Sequence, residues 1–181
     1  YQIFTDEERE AMMQKALERK RERLSQPLSP GAEMAYNRLM KNLKEIRPIM
    51  EKEGVECFRI YDADMPEYAA SIDIYMDKWV VVNEYAAPDT IPEEDTRRRL
   101  GELVTATERA TGIDLDSIYV KERSRQKGKN QYSRLASNNK MMIARENGVK
   151  FLVNFTDYLD TGVFLDHRPV RKMIQDMAKD K

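Results

Sequence analysis

Cysteine and histidine are nearly absent from this sequence, with one of each among 181 residues. A single cysteine, Cys57, excludes an intramolecular disulfide, and the lone histidine excludes the Cys/His clusters that bind structural zinc. No segment approaches the ~18 consecutive apolar residues of a membrane helix, and the N-terminus has no signal-peptide core. We therefore predict a soluble, cytoplasmic protein with no membrane contact and no metal site.

A glycine-rich strand–turn–helix unit, which would bind a nucleotide-like cofactor, is also missing. The charge is close to neutral overall but is segregated along the chain. Residues 51–95 carry thirteen acidic and three basic side chains, whereas residues 121–150 carry nine basic and two acidic ones. Such blocks indicate functional faces, although they can also pair within the fold.

The N-terminal part predicts two helices. Thr5 and Glu8 have the spacing of a capping box at the start of a charged helix over about 6–24. A second helix follows over about 32–53, and Pro48 is expected to kink or shorten it. The first helix has only a thin apolar stripe, so it is either a linker or a peripheral element.

The remainder predicts strands and two further helices. We expect strands at 55–61, 70–75, 79–85, 117–121, 141–146, 149–155 and 162–165, and helices at 92–110 and 168–178. The pair Asn147-Gly148 is typical of a type I′ hairpin turn. This order favours an α+β fold, with two N-terminal helices followed by a mixed or antiparallel sheet with one packed helix and a C-terminal hairpin leading into a helix. It divides the chain into a charged helix (1–30), an α+β subdomain (31–155) and a strand–turn–helix segment (156–181).

A basic loop over 121–134 is the most suggestive internal stretch. It contains six lysine and arginine side chains together with amide, hydroxyl and aromatic groups. Clustered cations bind phosphates, and stacking with hydrogen bonding reads single-stranded RNA bases. The loop therefore favours RNA binding, with a basic loop that has no partner as the alternative. The residues expected to contact RNA are Arg123, Arg125, Gln126, Lys127, Lys129, Asn130, Gln131, Tyr132 and Arg134.

Polar side chains also accumulate in residues 157–171. Asp166 has the place of a helix N-cap, and Arg168 and Arg171 should share a helix face that suits an anionic ligand or a partner carboxylate. His167 is most simply an exposed residue at a helix start. The carboxylates near Asp62 are interpreted as an acidic turn, because their spacing matches no metal loop.

Several of these motifs resemble the bifunctional 23S ribosomal RNA methyltransferases K/L, in the front part of their C-terminal half. The resemblance extends from about Tyr36 to Lys181. It rests on Asn37-Arg38-Leu39, residues 61–68 (Tyr-Asp-Ala-Asp-Met-Pro-Glu-Tyr), Glu84-Tyr85-Ala86, residues 125–132 (Arg-Gln-Lys-Gly-Lys-Asn-Gln-Tyr) and residues 152–168.

The resemblance implies a parent enzyme that uses S-adenosylmethionine to methylate guanines of 23S ribosomal RNA. The half represented here would methylate nitrogen-7, and the N-terminal half nitrogen-2. The Rossmann-like cofactor domain would begin after Lys181, so these residues are expected to bind RNA and to dock onto both missing units, without binding cofactor or catalysing methylation alone. Catalytic residues remain unassigned, and Thr161, Gly162, Asp166 and Arg168 are expected at the edge of the cofactor site.

Two other interpretations remain open. One is a carbon-5 cytosine RNA methyltransferase, which would be expected to have an N-terminal RNA-binding barrel where this chain predicts helices. The other is a noncatalytic scaffold that binds protein partners through its long helices.

Overall fold

The computed structural model describes residues 5–88, 90–123, 138 and 140–178. The helices are α1 (Asp6–Ser25), α2 (Pro30–Lys52), α3 (Glu93–Thr111) and α4 (Arg168–Met177), and the strands are β1 (Cys57–Asp62), β2 (Ala70–Tyr75), β3 (Trp79–Tyr85), β4 (Ile118–Arg123), β5 (Met142–Glu146) and β6 (Val149–Val153). Short 3₁₀ turns precede β4 and α4, at Leu115–Ser117 and Leu165–His167. Within the described ranges, no helix combines the length and apolar character that crossing a membrane requires.

Four strands form one sheet in the order β1-β2-β3-β4. The first three are antiparallel neighbours, whereas β4 runs parallel to β3 because α3 carries the chain back across the sheet. Strands β5 and β6 form a separate antiparallel hairpin. The architecture confirms the predicted α+β fold.

The two faces of the sheet have different coverings. On one face, alternate residues such as Ile72, Ile74 and Val82 pack under α2 and α3 in the larger core. On the other face, the hairpin and the segment after it build a smaller core around Phe155, whose ring centroid lies 4.8 Å from that of Tyr75. Because strand side chains alternate, the same strands supply both cores.

Local signals in the sequence set most helix and turn boundaries. The Thr5–Glu8 capping box is present, with both reciprocal hydrogen bonds. Helix α2 continues through Pro48 to Lys52, so the expected shortening at the proline is wrong. Asn147 and Gly148 have φ angles of 50° and 79°, as a type I′ turn requires, which confirms the predicted hairpin.

One predicted strand is absent. Residues 162–165 form no strand, because Gly162 has a φ of 93° and Leu165 already begins the 3₁₀ turn before α4. A positive φ breaks the extended conformation that pairing requires. The hydrophobic run Val163-Phe164-Leu165 is therefore an irregular connection beside the sheet.

Helix α1 touches the rest of the fold at its C-terminal end. None of its residues is buried. Arg23 holds it in place by donating from Nε and Nη2 to the Glu108 carboxylate of α3, at 3.0 and 2.6 Å. Lys20 forms an ion pair with Asp114. The peripheral position agrees with the thin apolar stripe seen in the sequence.

Candidate functional site

Residues 154–161 form a turn that Asn154 closes through its side chain and its backbone. The Asn154 side-chain oxygen accepts from the backbone N–H groups of Thr156 (2.9 Å) and Asp157 (2.7 Å). The Asn154 backbone N–H donates to the Thr161 carbonyl at 3.0 Å, which joins the two ends of the turn. An Asx-type turn of this kind fixes the backbone without regular secondary structure.

A buried lysine ties this turn to the sheet. Lys121 of β4 is 4% exposed, and its Nζ donates to the carbonyls of Tyr158 (2.8 Å) and Leu159 (3.1 Å). A weaker contact of 3.5 Å reaches the Asn154 carbonyl. Hydrogen bonds to these carbonyls offset part of the cost of burying the ammonium group. Lys121 therefore connects β4 directly to the turn.

Thr161 and Gly162 come next and contact the middle of the sheet. The Tyr75 hydroxyl lies 2.9 Å from Thr161 Oγ1, which in turn donates to the Val163 carbonyl at 3.2 Å. Burial raises the pKa of Tyr75 well above its ordinary value, so the phenol stays protonated as a donor. A Cβ at Gly162 would lie 3.4 Å from the Leu152 carbonyl, at a φ that L residues rarely adopt.

The start of α4 differs from the prediction. Asp166 was expected to cap the helix, but the N-cap position belongs to His167, and the helix has no side-chain cap hydrogen bond. The Leu165–His167 3₁₀ turn displaces Asp166 from the capping position. The Asp166 side chain is 79% exposed, and His167 is exposed as predicted.

The two arginines of α4 have separate partners. Arg168 approaches Glu53 at 3.6 Å and Met50 Sδ at 3.5 Å, at the C-terminal end of α2. Arg171 donates from Nε and Nη2 to the Glu146 carboxylate, at 2.7 Å each. Hydrogen bonding to Glu146 raises the pKa of Arg171. Arg171 is thus committed to a partner carboxylate, one of the two outcomes expected from the sequence, whereas Arg168 makes a longer ion pair with Glu53.

All four residues expected at the cofactor edge line a single cavity. Thr161, Gly162, Asp166 and Arg168 face a space of about 750 Å³ between the segment after the turn and the second face of the sheet. This volume lies within the range of small-molecule sites. Thr161 and Arg168, which flank the stretch 162–167, therefore line the same wall as Gly162 and Asp166 within it.

The opposite wall is built by polar side chains of β1, β2 and β3. Arg59 of β1 donates from Nε and Nη2 to the Asp73 carboxylate, at 2.7 and 3.2 Å. Its Nη1 reaches Asp62 at 2.9 Å, and the Tyr85 hydroxyl donates to the same carboxylate at 2.6 Å. Asn83 completes the wall and is 3% exposed. These charges lie in a groove rather than on an open surface.

Hydrogen bonds keep the Asp62 carboxylate of this wall ionised. Burial would raise the pKa of Asp62, but hydrogen bonds from Tyr85 and Arg59 outweigh it and hold that pKa below its ordinary value. The hydrogen bonds that Arg59 donates to Asp73 raise the pKa of Arg59, against the opposing effect of burial. Asp62 therefore lies as an ionised hydrogen-bond acceptor beside the positively charged Arg59.

Sequence reasoning missed most of this wall. Asp62 was interpreted as part of an acidic turn, and Arg59, Asp73 and Asn83 were assigned no role. The signal was present, because Ser71 and Asp73 alternate with apolar residues in a strand that is buried throughout. A polar residue inside a strand buried on both faces indicates either a paired charge or a site.

The predicted RNA-binding residues lie almost entirely outside the described part of the chain. Arg123 ends β4, where its backbone pairs with Tyr85. The other eight, Arg125, Gln126, Lys127, Lys129, Asn130, Gln131, Tyr132 and Arg134, fall in the gap between 123 and 138. The chain re-enters the described part at Asn138, whose N–H donates to Asp157 at 3.0 Å. The RNA-binding prediction therefore stays a prediction.

Sequence comparisons connect the chain to one group of enzymes. No family model matches it. The ribosomal RNA large subunit methyltransferase K/L of Photobacterium profundum is 52% identical over 145 residues, which are 80% of this chain and 20% of that protein. The K/L enzyme of Pseudomonas entomophila is 46% identical over 183 residues, covering 99% of this chain and 25% of that protein. The chain thus spans between a fifth and a quarter of these two relatives.

Solved structures agree on the fold. A Streptococcus mutans protein described as a candidate SAM-dependent methyltransferase superposes with a TM-score of 0.61 at 19% identity, over 84% of this chain and 38% of that one. The structure of SMU.776, described as a candidate methyltransferase complexed with SAH, gives a TM-score of 0.59 at 19% identity, over 82% of this chain and 36% of that one. At this identity the likeness shows a shared architecture.

Proposed function

Because the chain belongs to the ribosomal RNA large subunit methyltransferase K/L family, we propose that it is the part of such an enzyme that binds substrate RNA and docks onto the cofactor domain. The whole enzyme would transfer a methyl group from S-adenosylmethionine to guanines of 23S ribosomal RNA. The half to which this chain belongs would act at nitrogen-7 and the N-terminal half at nitrogen-2. These residues alone would be inactive.

The cavity between Thr161–Arg168 and the sheet is the observation that carries the proposal. The residues that resemble a cofactor edge line it together, and its volume suits a small molecule. The Thr161 hydroxyl and the exposed Asp166 carboxylate suit the hydroxyls or ammonium of S-adenosylmethionine, and Arg168 suits its carboxylate. The bound cofactor supplies an electrophilic methyl group on a sulfonium.

Methyl transfer to guanine nitrogen-7 requires little acid–base catalysis, because that atom carries an exposed lone pair. The contribution of these residues would be to hold the base in line with the methyl group, which lowers the barrier through proximity and orientation. A guanine inside a helix must also be turned out of its stack before it can reach a cavity. Gripping the flanking RNA would therefore be part of the same task.

The attachment of the basic loop supports this arrangement. The loop leaves β4 at Arg123, next to Tyr85, whose hydroxyl contacts Asp62 of the cavity wall. It returns at Asn138, which is hydrogen-bonded to Asp157 of the turn before Thr161. Both ends of the proposed RNA clamp are thus fastened to elements that line or support the cavity.

Docking of a cofactor domain is supported by the outer face of α4. Its exposed apolar side chains, with 54 to 72% of their surface accessible, are Val170, Met173, Ile174 and Met177. An unpartnered apolar helix face of this kind is suited to burial against another domain. We propose that the Rossmann-like domain of the same enzyme covers it, that the N-terminal methyltransferase half is a further intramolecular partner, and that the enzyme is cytoplasmic.

A binding experiment tests the RNA assignment. Arg125, Lys127 and Lys129 are changed together to Ala, and affinity for a guanine-bearing 23S ribosomal RNA hairpin is measured by filter binding over a range of salt concentrations. The slope of log affinity against log salt should become shallower by about two units, since each contact to single-stranded RNA contributes about 0.7. Affinity should fall by more than tenfold at low salt.

The matched control removes three positive charges elsewhere. Lys41, Lys44 and Lys52 are exposed residues of α2, so their change to Ala alters net charge by the same amount. The control should leave the slope unchanged. If both triple variants behave like the parent chain, the clamp assignment is wrong and the scaffold interpretation gains support.

A further inference from the structure

The sheet wall of the cavity presents hydrogen-bonding groups that are fixed before any ligand binds. Asp73 has a side chain only 7% exposed, and its carboxylate holds Arg59 by two hydrogen bonds. Arg59 in turn holds Asp62, whose side chain remains 51% exposed. A bidentate pair orients the guanidinium, and through it the second carboxylate, at low entropic cost.

Asn83 adds a further polar group to the same wall. It is 3% exposed and lines the cavity, yet among the described residues its side chain has one hydrogen bond, donated to Ser71 Oγ at 3.3 Å. Its side-chain oxygen accepts nothing from those residues. This oxygen is therefore available to accept a hydrogen bond from a donor group of a ligand in the cavity.

The order of acceptors and donors on this wall suits one nucleobase. A guanine carries two adjacent donors on its Watson–Crick edge, the N1–H and the N2 amino group, followed by the O6 acceptor. A carboxylate accepts two parallel N–H groups, and a neighbouring guanidinium donates to an oxygen. Adenine, cytosine and uracil each place an acceptor where the carboxylate needs a donor.

We infer that Asp62, with Arg59 and Asn83, forms a specificity pocket for the Watson–Crick edge of a guanine turned out of its stack. This inference rests on the proposed function, because the base reaches the cavity as part of bound RNA. Asp62 accepts from N1–H and N2, and Arg59 donates to O6. Nitrogen-7 lies on the other edge of the purine, so binding through this edge leaves it open toward the Thr161–Arg168 wall.

The test compares guanosine with inosine, which differs only by lacking the N2 amino group. Two fluorescently labelled RNA hairpins carry either nucleoside as the single unpaired purine of the loop, and anisotropy gives their dissociation constants for the 181-residue chain. The parent chain should bind the guanosine hairpin about tenfold more tightly, the scale of one good base contact. In the Asp62→Asn variant the ratio should fall to about one, because an amide cannot accept both N–H groups.

Asp77→Asn is the matched control. Asp77 is also about half exposed, with 58% of its side chain accessible, and also pairs with one arginine, Arg47, but it lies outside the cavity. This variant changes the net charge equally and should keep the tenfold ratio. Tyr85→Phe, which removes the hydroxyl that donates to Asp62, should lower the ratio only partly. Melting curves confirm that each variant is folded, and Tyr85→Phe keeps the test decisive if Asp62→Asn does not fold.

The outcomes separate the two levels of the proposal. If neither hairpin binds in a salt-dependent manner, the RNA-binding proposal and the guanine-pocket proposal are both refuted. If both hairpins bind the parent chain equally, RNA binding stands and the pocket is overturned. An unchanged ratio in Asp62→Asn, or equal loss for both hairpins, assigns that carboxylate to another part of the ligand and also overturns the pocket.

Discussion

The Arg171–Glu146 pair gives the sharpest test of how the cavity is held together. Glu146 ends β5 with 4% of its side chain exposed, and Arg171 binds both carboxylate oxygens at 2.7 Å. The third donor of Arg171, Nη1, reaches the Phe164 carbonyl at 2.7 Å. The pair therefore connects the hairpin, α4 and the irregular segment beside the cavity.

Changing Arg171 to Met should destabilise the fold by about 3 kcal/mol. Removing one partner of a buried pair leaves a desolvated charge, which costs roughly 3–5 kcal/mol. The lower end applies because the Arg171 side chain is 24% exposed and water can reach its end of the pair. With an m-value of about 2 kcal/mol/M, the urea midpoint should fall by about 1.5 M.

A double-mutant cycle isolates the pair from the loss of packing. Glu146→Leu combined with Arg171→Met removes both charges, so the double variant should recover most of the stability lost in either single variant. Arg97→Met is the control, because its i,i+4 partner Glu93 is 85% exposed and such pairs contribute about 0.5 kcal/mol or less. Strict additivity of the two single effects, or a loss below 1 kcal/mol in Arg171→Met, would refute the reasoning.

Two further predictions concern single residues. Gly162→Ala should destabilise the fold by about 1 kcal/mol or more, because its φ of 93° strains any L residue. Gly101→Ala in α3, with open space around it, should stabilise the fold by about 0.5–1 kcal/mol. Chemical denaturation measures both changes, and equal effects would contradict the backbone argument. Burial raises the pKa of Cys57 from 9.0 to about 11, so the thiol should react with a disulfide reagent at pH 8 far more slowly in the folded than in the urea-unfolded chain. Because the folded pKa is the higher one, stability from this group is present below pH 9.0 and declines as the pH rises toward 11, and Cys57→Ala should remove that decline in the pH dependence of the melting temperature.

Local signals predicted the fold well because they act over short distances. The Thr5 capping box, the Asn147-Gly148 turn and Gly112 with its left-handed φ of 72° each set an element boundary by themselves. Pro48 does not shorten α2, because the packing of the helix on the sheet outweighs the loss of one helical hydrogen bond. The apolar run after Gly162 has the composition of a strand, and the sequence does not show that it lacks a strand to pair with.

The candidate site was predictable on one wall only. Thr161, Gly162, Asp166 and Arg168 lie close in sequence and belong to a motif that resembles a known family. The other wall depends on strand register, which places Arg59 opposite Asp73, and Asp73 beside Val81 on the neighbouring strand. No local pattern states which strands are neighbours, so the cooperation of Arg59, Asp62, Asp73 and Asn83 becomes visible only in three dimensions.

The buried ammonium of Lys121 acts in this protein like a resident cation. Carbonyl oxygens of Tyr158 and Leu159 converge on it much as they would on a bound metal ion. Unlike a bound ion, this charge cannot exchange or be chelated, because it is part of β4. Any displacement of the end of β4, where the basic loop begins, must therefore pull on the same carbonyls. Binding of a ligand that moves the loop would therefore be coupled to the position of the turn that carries Thr161. A ligand that moves the turn would affect binding at the loop with the same coupling free energy.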